Sequence, residues 1–526
     1  MTTELAGASV AGAPRRRPIG RPAIAGAVAA LAAIGFGELA AAIVSAQSLV
    51  AAVGGVVIDL QPPGAKELVV ALFGTNDKLA LELFVVAVSV AIGALLGIVA
   101  SRSFVLGAAG FGASALVGLA ASITDPSTSL ALAALVAGIA AFVGIQALTW
   151  LLGSARLERT EPAAAEAMPD WSRRGLLTRA GGLAFASIAA GIGGRRLIDA
   201  NRSAPATGDT DIPPAGETAV LPPGASLEVD GLTPIVVPND AFYRIDTALI
   251  VPGVDVATWR LRIHGLVDRE TTLSFDELVG LPMIEQYVTI ACVSNEVGGD
   301  LVGNAKWTGA RLRDVLAIAG VQSAATQLVG RSVDGFTAGM PTAWVMDPAR
   351  EPMIAVKMND EVLPRAHGFP ARLIIPGLYG YVSATKWLAE LELTTWEAFD
   401  GFWVPRGWAK DAPILTQSRI DVPRHRGSVP AGRVAIAGVA WAPDRGISKV
   451  EVAIDGQWHD CTLSAPISDA TWVQWTYAWD ASAVGPGEHE IKVRATDGDG
   501  VTQPEQRTRP DPDGARGWHT IVVRAG

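Results

Sequence analysis

Tyr287-Val288-Thr289-Ile290-Ala291-Cys292-Val293-Ser294-Asn295-Glu296-Val297-Gly298-Gly299 is the stretch on which the reading of this chain turns. Its apolar run reads as the end of a strand that delivers a cysteine to a glycine-punctuated turn. A cysteine in that setting is a candidate soft-metal ligand or nucleophile; a small apolar core residue is the competing reading. Only one other cysteine occurs, Cys461. Two thiols exclude a disulfide framework and an iron–sulfur cluster held by cysteines alone, and leave a single Cys292–Cys461 bridge open.

Further motifs flank this turn. Upstream stands Phe242-Tyr243-Arg244-Ile245-Asp246; downstream come Trp307-Thr308-Gly309 and then His367-Gly368-Phe369-Pro370-Ala371-Arg372. Pro376-Gly377-Leu378-Tyr379-Gly380 and Lys386-Trp387-Leu388 follow. His367, Arg372 and Lys386 place donors and cations in a loop rich in glycine and proline, which suits a bound anion such as a phosphate. Short alternating runs such as 259–266, with helical pieces at 274–280 and 312–319, predict an α+β domain over residues 239–405.

In this order the motifs resemble the sulfite oxidase family of molybdopterin enzymes, over about residues 240–526. The resemblance implies a Mo-molybdopterin cofactor with Cys292 as the thiolate on molybdenum. It implies that Phe242, Tyr243 and Arg244 line the cofactor, with Arg244 also facing the substrate. Asp334, in Asp334-Gly335-Phe336, matches a pterin-contacting acid. His367 and Arg372 match pterin and phosphate contacts, and Ala384, Thr385 and Lys386 match the loop that closes on the cofactor. Two departures stand out. Glu296 and Val297 occupy the place where sulfite oxidases carry arginines, and Val356 the place of their catalytic tyrosine. Sulfite is therefore in doubt as the substrate. The family's haem domain is also absent, which implies a separate electron-transfer partner.

Beyond residue 415, strand-like runs at 434–439, 450–454, 472–479, 490–495 and 520–523 predict an immunoglobulin-like sandwich over 415–526. It resembles the family's dimerisation domain, which implies a homodimer. Cys461 is expected to pack in the sandwich, and the tryptophan-rich run 472–479 in a core, with an interface as the alternative.

The other end of the chain differs. Mean hydropathy is +0.32 for the whole sequence, and the excess lies in 22–152, dominated by Ala, Val, Leu, Ile and Gly. Four stretches, near 23–45, 79–100, 104–123 and 129–152, are long enough to cross a bilayer. The pieces 49–58 and 68–73 are too short and read as interfacial or re-entrant. Arg15, Arg16, Arg17 and Arg21 before the first span, and Arg156, Arg159, Arg173, Arg174 and Arg179 after the fourth, are expected on the cytoplasmic side. Ser172-Arg173-Arg174-Gly175-Leu176-Leu177, ahead of the weakly apolar 180–194, resembles a twin-arginine export signal placed internally; an ordinary basic cluster before a fifth helix is the alternative. Both give a fifth crossing, a membrane domain over 1–200, and a catalytic half outside the cytoplasm. All six histidines lie beyond residue 260, so the bundle lacks the usual haem ligands. Glu38 and Glu82 are expected to snorkel at helix ends, and no paired charges are expected in the bundle. Residues 201–238, rich in Pro, Gly, Ala, Ser and Thr, read as a tether.

A net charge of −10 argues against a nucleic-acid partner. The expectation is a multidomain, membrane-anchored molybdopterin oxidoreductase, performing two-electron oxo transfer on a small extracytoplasmic molecule. A reductase of sulfoxides or other oxo compounds is the alternative within that chemistry. A metal-free, membrane-anchored binding protein is the alternative outside it, and a transporter has only the helix bundle behind it.

Overall fold

A computed structural model of the chain describes residues 19–44, 46–60, 77–124, 128–157, 171–203, 211–248 and 251–526. The chain divides into two compact units, Met1–Asn201 and Arg202–Gly526.

The first unit is helical: α1 (Gly20–Ile43), α2 (Leu49–Asp59), α3 (Asp77–Ala100), α4 (Phe104–Ser122), α5 (Leu130–Leu157) and α6 (Trp171–Ser203). Five of them contain segments long and apolar enough to cross a membrane: Gly20–Ile43, Leu79–Ala100, Phe104–Ser122, Leu130–Gly153 and Gly175–Ile198. α2, at 11 residues, is too short. Small residues let the helices touch; a Cβ on Gly26 would fall 2.1 Å from the Gly93 carbonyl oxygen. Two expectations are corrected here. Glu38 does not snorkel: it is buried and accepts a hydrogen bond from Ser48, at the start of α2. Glu82 on α3 forms an ion pair with Arg195 on α6. Their separation of 113 residues hides this pairing in the sequence. Residues 68–73, Arg15, Arg16, Arg17 and Arg159, and the side chains of Arg156, Arg173 and Arg174, lie outside the described residues.

The second unit begins with one mixed sheet and one antiparallel sheet. The first runs β2 (Thr271–Ser274), β1 (Arg260–Gly265), β10 (Leu388–Thr394), β5 (Gln327–Ser332), β6 (Thr337–Pro341). Its β1–β10 pair is parallel and the rest antiparallel. The second runs β3 (Met283–Ala291), β4 (Val302–Arg311), β7 (Met353–Met358), β8 (Glu361–Val362), with β9 (Arg372–Ile374) on β7. Helices Phe275–Val279 and Leu312–Ala319 match the expected stretches, the first opened by a Ser274–Glu277 capping box.

Two further sheets form the sandwich. One runs β11 (Gln417–Val422), β13 (Arg433–Trp441), β17 (Val473–Asp480), β16 (Thr462–Leu463). The other runs β12 (Ser428–Val429), β19 (His519–Ala525), β18 (Gly487–Asp497), β14 (Ile447–Ile454), β15 (Gln457–Asp460). Trp475 and Trp479 are buried in the sandwich core, as expected, whereas Trp472 is buried in the core of the α+β part and donates its indole N–H to the Ile235 carbonyl. The two cysteines form no disulfide; Cys461 packs against the sandwich core, where burial pushes its thiol up to about 12.

The stretch expected to be a tether behaves differently from Asp211 onward. Gly216 N–H donates to the Met283 carbonyl, Leu227 N–H to the Gln474 side chain, and Val237 N–H to the Asn304 carbonyl. Ile235 and Val237 are buried in the core. These residues lack periodicity because each backbone group meets a different neighbour, not a regular ladder.

Candidate functional site

β3 carries Cys292 to its end, and the following loop is closed by its own side chain. Cys292 N–H donates to the Leu301 carbonyl at 2.9 Å, and Asn295 Oδ1 accepts from Leu301 N–H at 2.9 Å. The glycines are required here. Gly298 has φ +81°, and a Cβ on it would fall 2.3 Å from the His519 ring; one on Gly299 would fall 2.5 Å from Asn295 Oδ1. Cys292 is buried, with its Sγ 2.9 Å from Ser294 Oγ.

Phe242 and Tyr243 stack at 5.3 Å, and Phe242 meets Trp307 and His367 edge-on at 6.1 and 5.7 Å. Gly303 on β4 leaves room for the Phe242 ring, which lies 2.7 Å from where a Cβ would stand. Burial first, and then Cys292, push the Tyr243 phenol far above its ordinary range, so it keeps its proton. Among the described residues no hydrogen bond occupies its hydroxyl.

His367 Nε2 lies 2.8 Å from the Asn239 carbonyl oxygen. Burial, with Arg372, Lys386 and Arg244 nearby, lowers its pKa to about 4. The ring is therefore neutral at pH 7, with Nε2–H donating and Nδ1 left as an acceptor. Arg372 is buried beneath the Trp307 ring, its Cζ 5.0 Å from the centroid. Its Nη1 donates to the His367 carbonyl at 3.0 Å, while its Nε has no partner. No carboxylate pairs with it among the described residues. Burial lowers its pKa to about 10, which leaves it charged at pH 7. Thr385 Oγ1 and Asn295 Nδ2 are also buried without partners.

Lys386 Nζ and Arg244 Nε both donate to Asp246 Oδ2, each at 2.8 Å. Burial draws the lysine down to about 8, against the pull of Asp246. Backbone bonds zip the two loops together: Leu373 N–H to the Thr385 carbonyl, Trp387 N–H to the Gly368 carbonyl. The Ala384 carbonyl faces Arg372 Nη2 at 3.4 Å. Asp334 sits in the β5–β6 turn, where its carboxylate accepts from Phe336 N–H. The neighbouring Val333 N–H donates to the Trp387 carbonyl, which brings that turn beside Lys386.

The fold thus gathers Phe242, Tyr243, Arg244, His367, Arg372, Ala384, Thr385 and Lys386 into one cationic cluster, with Cys292 near Tyr243 and Asp334 on a turn beside it. Sequence reasoning gave no role to Asp246, Trp307, Asn239, Tyr379 or Tyr381. Asp246 and Trp307 stand inside the quoted motifs, two residues from Arg244 and fifteen from Cys292, and a buried carboxylate between cations was the available signal.

Residues 248–403 match the profile described as "Oxidoreductase molybdopterin binding domain". This chain contains an oxidoreductase molybdopterin-binding domain. Residues 417–493 match a bacterial Ig domain. Mitochondrial sulfite oxidase of Homo sapiens is 32% identical over 316 residues, covering 51% of this chain and 57% of the human protein. Nitrate reductase [NADH] 1 of Oryza sativa subsp. japonica is 30% identical over 319 residues, 49% of this chain and 34% of the rice protein. The chain therefore spans little more than half the length of the human protein. The solved sulfane dehydrogenase SoxCD from Paracoccus pantotrophus aligns with TM-score 0.47 and 22% identity, over 58% of this chain and 85% of that one.

The family implies Mo-molybdopterin. The residues fit it: a buried guanidinium without a counter-charge, two further orphaned polar groups and a soft sulfur that shares the Tyr243 phenol with that guanidinium are what an anionic, metal-bearing ligand would satisfy.

Proposed function

We propose that the chain is a membrane-anchored, molybdopterin-dependent oxidoreductase that performs two-electron oxo transfer on a small molecule outside the cytoplasm. One observation carries this reading: Arg372 is buried, charged and without a carboxylate partner among the described residues, and it acts on the same Tyr243 phenol as Cys292 does. An uncompensated buried charge is costly, and a bound anion is what offsets it.

In this reading Cys292 supplies the thiolate that holds molybdenum, and Arg372 with Lys386 neutralises the anionic tail of the pterin. His367 offers Nδ1 to a ring donor of the pterin, because Asn239 fixes its other nitrogen. Asp334 contacts the pterin from the β5–β6 turn, and Ala384 and Thr385 close the loop over it. Phe242 and Trp307 exclude water from that face. Tyr243, which keeps its proton at any working pH, presents a hydrogen-bond donor beside the sulfur. When bound, the molybdenum centre supplies oxygen-atom exchange with water and passes on electrons singly. Those electrons go to a separate partner.

The five apolar segments support membrane anchoring. The arginines at both edges of the first four spans support a cytoplasmic N-terminus and an exported second unit. Export by the twin-arginine route suits a domain that crosses already folded around its cofactor. A homodimer through 415–526 follows from likeness to the family's sandwich.

The test is metal analysis of the full chain purified after molybdate-replete expression, wild type beside Cys292→Ser. The reading predicts molybdenum in the wild type and a loss of dye-linked activity of more than about 100-fold in the variant. Wild-type protein without molybdenum, or a fully active variant, would refute it.

A further inference from the structure

Residues of the C-terminal part grip the chain on both sides of Cys292. Before it, on β3, Thr289 N–H donates to the Ala470 carbonyl at 2.9 Å, and Thr289 Oγ1 accepts from Trp472 N–H at 2.8 Å. After it, the two glycines of the loop are both held from β11. Arg419 Nη1 donates to the Gly299 carbonyl at 2.8 Å. The next residue, Ile420, donates its N–H to His519 Nδ1 at 3.0 Å, and the His519 ring packs on Gly298.

Arg419 is the charged member of this grip, and it is buried. Each of its nitrogens holds a different segment. Nε donates to Asp421 Oδ1 on its own strand at 2.7 Å, Nη1 to the Cys292 loop, and Nη2 to Thr233 Oγ1 at 2.9 Å. Asp421, its side chain 8% exposed, accepts from Thr233 N–H at 3.1 Å through its other oxygen. Thr233 belongs to the stretch that joins the helical unit to β1. An ion pair serving the sandwich alone would keep its hydrogen bonds inside the sandwich. Here two of the three leave it, and one of those ends on the loop that carries the thiol. The rigid guanidinium fork fixes the angle between these bonds, which a lysine cannot do.

We infer that Arg419 is a positioning residue for Cys292: through the Gly299 carbonyl it holds the loop closed, so that the sandwich belongs to the metal site as well as to any subunit contact. This rests on the reading proposed above, in which that thiol is the metal's ligand. A ligand held in place by its surroundings is set before the metal arrives, and a loop free to open would let the sulfur swing away.

The experiment uses the full chain in detergent, made in cells that cannot synthesise the pterin. It follows the rate at which N-ethylmaleimide labels Cys292, read by peptide mass spectrometry. Arg419→Met is expected to raise that rate at least about tenfold, the effect on local opening of losing a charge-assisted hydrogen bond. The control is Arg445→Met, another sandwich guanidinium, whose hydrogen bonds run to Asp497, Thr416 and the Ile414 carbonyl. It is expected to lower Tm as Arg419→Met does and to leave labelling within about twofold of wild type. Arg419→Lys keeps the charge beside Asp421 without the fork, and is expected to label about threefold faster than wild type. It decides the matter where Arg419→Met does not melt cooperatively. A wild-type labelling rate in the folded Arg419 variants, or an increase in Arg445→Met as large as in Arg419→Met, overturns the inference. Labelling needs no metal, so a wild-type chain that binds no molybdenum sinks the proposed function and leaves the labelling result standing. Unmoved labelling in a chain shown to bind molybdenum sinks this inference alone.

Discussion

Arg372 lies in the core with an indole against its face, two backbone carbonyls near its Nη atoms and no acceptor at Nε. Evolution rarely leaves a buried guanidinium in that condition unless a ligand completes it. Arg372→Met is therefore expected to do two opposite things. The cofactor-free chain should become more stable, by on the order of 1–3 kcal/mol, while cofactor retained through purification falls. Thermal melts of the apoprotein and pterin released on denaturation measure the two. A variant that loses stability without its cofactor would place Arg372 in a purely structural role. At this scale the sequence draws attention to Cys292, His367, Arg372 and Lys386 because the residue type itself carries chemistry, and the fold brings the last three together. It was silent on Asp246 and Asn239. Their importance lies in partners up to 140 residues away, Lys386 for the first and His367 for the second.

The Cys292 loop meets the second unit's last strand at a single ring. His519 Nδ1 accepts from Ile420 N–H at 3.0 Å, and its imidazole packs on Gly298. Gly298→Ala would force a side chain into a positive-φ position and onto that ring, a cost of about 1–3 kcal/mol visible as a lowered Tm. A melt unchanged by this substitution would contradict the packing. Burial lowers the pKa of His519 to about 4, from an ordinary 6.5. Above pH 6.5 folded and unfolded chains are both neutral there, so the group adds no pH dependence. Between 6.5 and about 4 only the unfolded chain takes up the proton, so stability falls as pH falls, by about 1.4 kcal/mol per unit for one histidine. His367, whose pKa is also about 4, acts in the same window. His519→Gln should remove roughly half of that slope, as read from melts at pH 7 and pH 5; an unaltered slope would contradict the assignment. Elements of this kind were legible wherever alternation or capping marks them. The strands of the sandwich and the two helices expected in the α+β part fall where the sequence places them. Residues 211–238 were not, because irregular backbone partnerships leave no period to read.

For the whole molecule, composition separates an apolar helical unit from a globular one, and that division needs only the sequence. What composition hides is pairing between distant helices. Glu82 and Arg195 read as isolated charges and form an ion pair, and Glu38 reads as interfacial and is buried under Ser48. Reporter fusions test the proposed topology: a cytoplasmic reporter should be active after residue 160 and an exported one after residue 526. Replacing both Arg173 and Arg174 with lysine should hold the second unit in the cytoplasm; export undiminished by that change would favour an ordinary membrane-insertion route. The claim beneath all of this is a bond between Cys292 and molybdenum, and X-ray absorption at the molybdenum edge of the purified full chain measures it directly. Cys292→Ser should show one fewer sulfur neighbour around the metal than the wild type. Equal sulfur counts in the two proteins, or no metal in the wild type, would contradict it.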